Sequence, residues 1–261
     1  MADDGTDLRS VLAKRESILE YLVESPARKP ELVDELSISR STVDRAIGEL
    51  IDVDCIVADG TTYSVTKTGH LALAERTDYV ASTDAIGHAS ELLKHLPATA
   101  EINPVFLKGA SVTQAEPHAP DRAAAASASL LTKATKMKGL APTVLKSDIL
   151  TIDDELERDE LTVEIIAEQN VIDSLSSFPG SPTESLLSRE SLSLYESNLN
   201  LPYALWIMET SEGDSAGITV HDSGGSVAGM IMTESKVAVQ WANNQYQYYK
   251  KNSSLTAVSS N

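Results

Sequence analysis

The sequence predicts a two-domain protein of mixed class, α+β in its first part and α/β in its second, with a long helix between them. Three observations carry that prediction. Apolar residues recur at helical spacing in three runs before residue 52 and then give way to a β-hairpin signature. From about residue 101, strand candidates alternate with helices, the pattern of a layered α/β fold. A length of 261 residues gives each of two domains enough chain to bury its own core.

In the first part, Leu8, Val11, Leu12, Ile18, Leu19, Leu22 and Val23 recur at steps of three and four, which places them on one stripe of a helix over about 8–24. Ser25-Pro26 breaks it, and Pro30 suits the first turn of a short second helix that carries Leu32, Val33 and Leu36 inward. A turn at Ser37-Ile38 follows. Ser39 is then placed to cap a third helix whose Val43, Ala46, Ile47 and Leu50 face back onto the first two. Beyond Asp54, two β-prone runs flank Asp59-Gly60, the strongest short-range hairpin signal. Three helices and a hairpin in this order predict a winged helix-turn-helix over residues 1–74. A mostly helical stretch through Leu71, Leu73, Tyr79, Val80, Ile86, Leu92, Leu93 and Leu96 ends at Pro97. Its 75–100 portion is expected as a linker, with packing inside the chain and pairing of two subunits both open and a homodimer favoured.

Strands are expected at 104–112, 161–168, 201–209, 216–221 and 227–233, and helices at 119–138, 184–197 and 235–251. They make up a C-terminal α/β domain over 101–251 that serves as a sensor or for dimerisation. Asp153 to Glu160 reads as a solvated acidic surface, Ser176 to Thr183 as a loop, Gly224-Gly225 as a hairpin turn, and 252–261 as a frayed tail.

Charge argues against the partner that the first domain suggests. There are 39 acidic and 21 basic residues, a formal net charge of −18, which by itself opposes a polyanion. The first 74 residues alone carry 8 basic and 14 acidic side chains. The acid excess runs along the whole chain beside only 5% aromatic residues, and reads as adaptation to a salt-rich cytoplasm. An ordinary acidic protein at lower salt is the alternative. At molar salt the Debye length falls to about 3 Å, so that only close contacts matter. One cysteine, Cys55, an acidic start at Met1-Ala2-Asp3-Asp4-Gly5 and no apolar run near the roughly 18 residues of a membrane span point to the cytoplasm.

The third helix presents Arg40, Ser41, Asp44, Arg45 and Glu49 opposite its core residues, with Ser39 and Thr42 at its start. Arginine forks reach guanine edges or phosphates, hydroxyls reach either, and carboxylates accept from cytosine or orient an arginine. Thr61 and Thr62 of the hairpin and Lys67 after it complete a candidate surface for double-stranded DNA. A winged fold that binds only protein is the rival reading. Gly48, inside this helix, costs about 1 kcal/mol relative to alanine.

The segment from Leu36 to Ile47 resembles the turn and recognition helix of archaeal winged helix-turn-helix transcription regulators, and Tyr63 to Gly69 resembles the end of their wing. Ser37, where the family often has glycine, and Asp44, an acid on the reading face, are departures. The remainder resembles the C-terminal domain of methanogenesis regulatory proteins and their TrmB-like haloarchaeal relatives, through Gly139-Leu140-Ala141-Pro142, Leu161 to Ile166 and Trp241 to Tyr246. The resemblance implies a regulator of metabolic genes, sugar genes among them, with a degenerate phospholipase-D-like domain. Enzymes of that fold need His-x-Lys, and none of His70, His88, His95, His118 or His221 has lysine two positions on. Gly-x-Ser-x-Gly, Walker and His/Cys metal patterns are missing too, so that no enzyme, cofactor or metal is expected. The loop Lys108 to Gln114, with Ser111 and Thr113, leads past His118 to Arg122 at a helix start. It reads equally as an ordinary polar loop or as a pocket for a small effector, an anion or a sugar.

Overall fold

The computed structural model of the chain describes residues 7–116, 118, 123, 125–143, 146–157, 160–175 and 189–256. It divides into two compact units, Met1–Thr83 and Asp84–Asn261.

The first unit contains α1 (Leu8–Glu24), β1 (Ala27–Arg28), α2 (Lys29–Leu36), α3 (Arg40–Asp52), β2 (Ile56–Asp59), β3 (Thr62–Val65) and the greater part of α4 (Lys67–Leu93). The three strands form an antiparallel sheet in the order β1-β3-β2. Local chemistry fixes the boundaries. Asp7 caps α1 by accepting from the Arg9 amide at 3.2 Å, and proline opens α2. Ser37 ends α2 at φ 54°, a left-handed conformation that glycine adopts without the cost of about 1–2 kcal/mol facing other residues. The apolar stripes meet as expected, in one core of Leu19, Leu32, Val43, Ala46, Leu50 and their neighbours. Behind the hairpin, Thr66 Oγ1 donates to the Asp54 and Cys55 carbonyls and accepts from the Gly69 amide at 3.1 Å. A Cβ on Gly69 would lie 2.2 Å from the Cys55 carbonyl oxygen, so only glycine fits where α4 begins against the wing.

The second unit is built on an eight-stranded sheet. Its strands are β4 (Ser111–Gln114), β5 (Ala134–Ala141), β6 (Thr162–Ala167), β7 (Leu192–Ser197), β8 (Ala204–Thr210), β9 (Gly213–His221), β10 (Val227–Thr233) and β11 (Ser253–Leu255), in the order β11-β7-β6-β5-β8-β9-β10-β4. β5, β6 and β7 run parallel, and the other pairings are antiparallel. Period-two alternation sends Leu205 and Ile207 to one face and Trp206 and Met208 to the other. The first face packs on α5 (Pro104–Leu107), on α9 (Lys236–Lys251) and on Ala89 and Leu92; the second packs on α6 (Ala125–Leu131), α7 (Lys146–Leu156) and α8 (Gln169–Leu175). No described helix is long and apolar enough to cross a membrane.

Two domains of mixed class are therefore present, but several elements differ from the sequence-based expectation. Residues 104–112 begin as the short helix α5, capped by Asn103, and only Ser111 onward is strand. The helix expected over 119–138 covers Ala125–Leu131. Residues 119–122 and 124 lie outside the described residues, and β5 starts at Ala134, because the alanine-rich segment ahead of it extends a helical pattern into residues that alternate. Of the helix expected at 184–197, 184–188 lie outside the described residues and Leu192–Ser197 is β7, whose Leu192 and Leu194 alternate with polar residues. The residues from 253, expected as tail, pair as β11 with β7. Nor is the acidic run a solvated surface throughout: Asp153 and Glu155 are only 8% exposed on α7, and Arg189 pairs with Asp153 at 3.0 Å.

Glu164 of β6 anchors α9 to the sheet. It accepts from Lys136 at 2.8 Å, from the Tyr246 hydroxyl at 3.0 Å and from Lys250. Burial works to raise its pKa, but these three donors outweigh burial and bring it down to about 2. A carboxyl whose folded pKa lies below its unfolded one adds stability that is complete above the unfolded value and is lost as pH falls through the folded one. Glu164→Gln should accordingly cost about 1–3 kcal/mol at neutral pH. In guanidinium titrations the gap between parent and variant should close as pH drops from about 4 toward 2; a gap constant with pH would show that charge on Glu164 is not what holds α9.

Candidate nucleic-acid interface

α3 is held by its apolar side, where Val43, Ala46, Ile47 and Leu50 are fully or almost fully buried. Its start is organised by hydroxyls. Ser39 Oγ accepts from the Thr42 amide at 3.2 Å and lies 3.0 Å from Ser41 Oγ and 2.8 Å from Thr42 Oγ1. This puts three hydroxyl groups at the positive end of the helix. Ser39, Arg40, Ser41, Asp44 and Arg45 are exposed, and Thr42 and Glu49 are half-buried.

The acids of this surface are already occupied. Arg15 of α1 grips Glu49 through both guanidinium branches, Nε at 2.8 Å and Nη2 at 3.2 Å, which ties α1 to α3. Lys29 of α2 donates to Asp44 at 2.7 Å while standing 5.8 Å from the Tyr63 ring centre. Hydrogen bonding to these cations holds both carboxyls below the usual carboxylate range. Glu49 and Asp44, expected either to accept from cytosine or to orient an arginine, brace the helices through Arg15 and Lys29. Arg15 and Lys29 have no place in the expected set, because each meets its partner across two helices and no spacing along the chain reveals that.

Cations of the first unit fall into two groups. Arg9, Arg15, Arg28, Lys29 and Arg76 pair with Asp7, Glu49, Glu31, Asp44 and Glu16. Lys14, Arg40, Arg45 and Lys67 form no ion pair among the described residues, and two of these four stand on the exposed side of α3. In the hairpin, Thr61 is exposed at the turn beside Gly60, at φ 60°, and Thr62 is half-buried opposite Asp59 and Arg28. Lys67 is exposed at the start of α4. The Cys55 amide joins the hairpin to α3 by donating to the Leu50 carbonyl at 2.9 Å.

The expected effector loop is arranged differently. Lys108 ends α5, half-buried. Ser111, Thr113 and Gln114 are exposed on β4, an edge strand, where Ser111 donates to the Met232 carbonyl at 3.3 Å. His118 is exposed, and Arg122 lies outside the described residues. None of the described ones lines the cavity of about 380 Å³ in this unit, which opens between the sheet and α6, α7 and α8. β4 is separated from β5 by three intervening strands, too far from the parallel strands for its side chains to reach their ends.

Comparison with known proteins follows this division of the chain. A family model for the HVO_A0261 N-terminal domain matches residues 3–86, and one for the methanogenesis regulatory protein FilR1, middle domain, matches residues 120–252. No curated protein matches the chain. Among solved structures, it is similar to TrmBL2, described as an archaeal chromatin protein with a novel mode of DNA binding, at 10% identity and a TM-score of 0.43, covering 94% of this chain and 93% of that one. It is also similar to NucT from Helicobacter pylori, at 13% identity and a TM-score of 0.41, covering 56% of this chain and 97% of that one. Nuc from Salmonella typhimurium, a phospholipase D family member, stands at 9% identity and a TM-score of 0.42, with 56% and 98% covered. At these scores the structural likenesses are too distant to carry function across. Because the second family model spans just over half of the sequence, the chain belongs to the family of the methanogenesis regulatory protein FilR1 middle domain.

Proposed function

We propose that this protein is a sequence-specific DNA-binding transcription regulator of the cytoplasm, acting as a homodimer on promoters of metabolic genes, sugar genes among them. Its second unit is the non-catalytic part, a sensor of a small molecule or a dimerisation surface. The observation that carries the reading is the state of α3: Arg40 and Arg45 stand exposed and form no ion pair among the described residues beside three hydroxyls, while Asp44 and Glu49 of the same helix are held by Lys29 and Arg15. Membership of a regulatory-protein family agrees with it. The homodimer is supported by α4, which leaves Leu71 57% and Tyr79 61% exposed. Eight residues apart, the two lie on one side of the helix, within about 80°.

Arg45→Ala should weaken binding to DNA from the protein's own promoter by about 1–3 kcal/mol, with Arg40→Ala weakening it through a phosphate contact. Both should leave thermal unfolding unchanged. Glu49→Ala should do the reverse, lowering stability by freeing Arg15 inside the helical core. Gel-shift titrations beside thermal melts separate the two classes. Parent-like binding by both arginine variants would remove α3 as the reading helix.

Salt provides a second expected outcome. With 14 acids against 8 bases in the first 74 residues, affinity cannot rest on a general phosphate grip, whose counterion release weakens as salt rises. Close contacts survive at about 1 M KCl, where the Debye length is about 3 Å and acidic surfaces no longer repel DNA. Operator binding should hold at that concentration and strengthen as KCl rises from a low start, measured against a scrambled duplex. A steep, monotonic loss would show that phosphate neutralisation dominates after all.

A further inference from the structure

The cavity in the second unit is a site that the proposed reading of α3 does not use. Its size, about 380 Å³, falls in the range of small-molecule pockets, roughly 300–1,000 Å³. Small residues create it. Gly139 faces it from the middle of the sheet, with Ala141 and Ala204 toward one end, and Gly217 lies beneath the Trp206 indole that forms part of the wall. A Cβ on Gly217 would lie 2.1 Å from Trp206 Cζ2, so the Trp206 indole can lie flat across the strand only because Gly217 has no side chain. The walls come from Met137, Ile165, Leu194 and Met230 of the sheet and from Leu131 and Ile149 of the helices.

Ser127 of α6 and Thr151 of α7 contribute hydroxyls to the helix side of the lining. On the sheet side, Leu140 pairs with Leu205, Ala204 with Thr219, and Val227 with His221, which puts Thr219 and His221 at the same end of the sheet as Thr143, the carboxyl end of β5. That is the end of parallel strands where α/β sheets commonly take ligands. Asp, Glu, Lys and Arg are absent from the lining among the described residues. Trp206 Nε1 is buried and has no hydrogen-bond partner among the described residues.

A charged or polyhydroxylated ligand in this cavity would give up its hydration for a mostly apolar wall that offers no ionic partner among the described residues. Away from the polar cluster, such a wall favours an apolar molecule over water. We infer that this cavity is the binding site for an uncharged, largely hydrocarbon or aromatic small molecule whose one polar end lies at Thr143, Thr219 and His221. This deepens the sensing role proposed for the second unit, and binding is measured without DNA, so that its outcome is separate from that of the α3 reading.

The probe is N-phenyl-1-naphthylamine, an uncharged apolar fluorophore, titrated into the full chain in molar KCl. The chain has two tryptophans, and Trp241 packs on Phe106 at 5.0 Å in the other core. Trp241→Phe therefore leaves Trp206 as the single reporter. The expected result is saturation at one probe per chain, with quenching of Trp206, and at least a tenfold loss of affinity in Ala141→Phe or Ala204→Phe. Because bulky variants can misfold, methyl resonances of the methionines in the unsubstituted chain give an independent reading. Met137, Met208 and Met230 line the cavity and should shift with the probe, more than Met232, which does not line it. Glucose and 2-naphthoate should fail to displace it. Non-saturating binding, unmoved methionine methyls, or full affinity in folded filled variants would each overturn the inference.

Discussion

Cations are outnumbered almost two to one in this chain, and where they are spent on acids is the constraint on which the rest depends. In the first unit five of them hold acids that would otherwise repel one another, and two of those pairs, Arg15–Glu49 and Lys29–Asp44, fasten α3 to α1 and α2. The bidentate grip on Glu49 is the more enclosed of the two, with Arg15 only 14% exposed, and so is less weakened by salt than a surface pair. With Asp44 and Glu49 already bonded to Lys29 and Arg15, Arg40 and Arg45 form no ion pair among the described residues. An acidic protein can in this way present exposed arginines on a helix without a basic total.

The second unit meets the same shortage differently. Lys136, Lys250 and the Tyr246 hydroxyl converge on Glu164, and Lys138 reaches Glu209 at 2.6 Å and Asn243 at 3.2 Å, all on the sheet face that carries α9. On the opposite face, Met, Ile, Leu and Trp side chains meet α6, α7 and α8, with Arg189 bonded to Asp153 of α7 as a polar tie. One face is fixed by directional bonds and the other by shape, and it is the second that has room left in it. Glycines at β5 and β9 would weaken an ordinary sheet centre, but here they admit Trp206 and the space beside it.

Features governed by neighbours in the chain were legible in the sequence. The Ser39 cap, the inward stripe of α3, the outward Arg40 and Arg45, and the turn at Gly60 all follow from spacings of a few residues. What needed tertiary contact was hidden: Arg15 lies 34 positions from Glu49, and Lys29 lies 15 from Asp44. The start of β5 and all of β7 read as helix in the sequence because short apolar runs satisfy both periods, and the strand state wins only through the pairing of β5, β6 and β7. Nothing in the sequence of the 108–114 loop marks β4 as an edge strand, separated from β5 by three strands. The cavity was illegible altogether, since it is made of residues that are absent or small at positions brought together by the sheet.

Cys55 gives the chain an internal clock for opening. It is the single thiol in 261 residues, it is fully buried in the core of the first unit, and burial followed by the charge of Asp54 pushes its pKa up. Its carbonyl is covered by Thr66 and Gly69, so the hairpin and the start of α4 must part before that segment loosens. A thiol reagent thus reacts at the rate at which this unit breathes, and no other cysteine contributes to the signal.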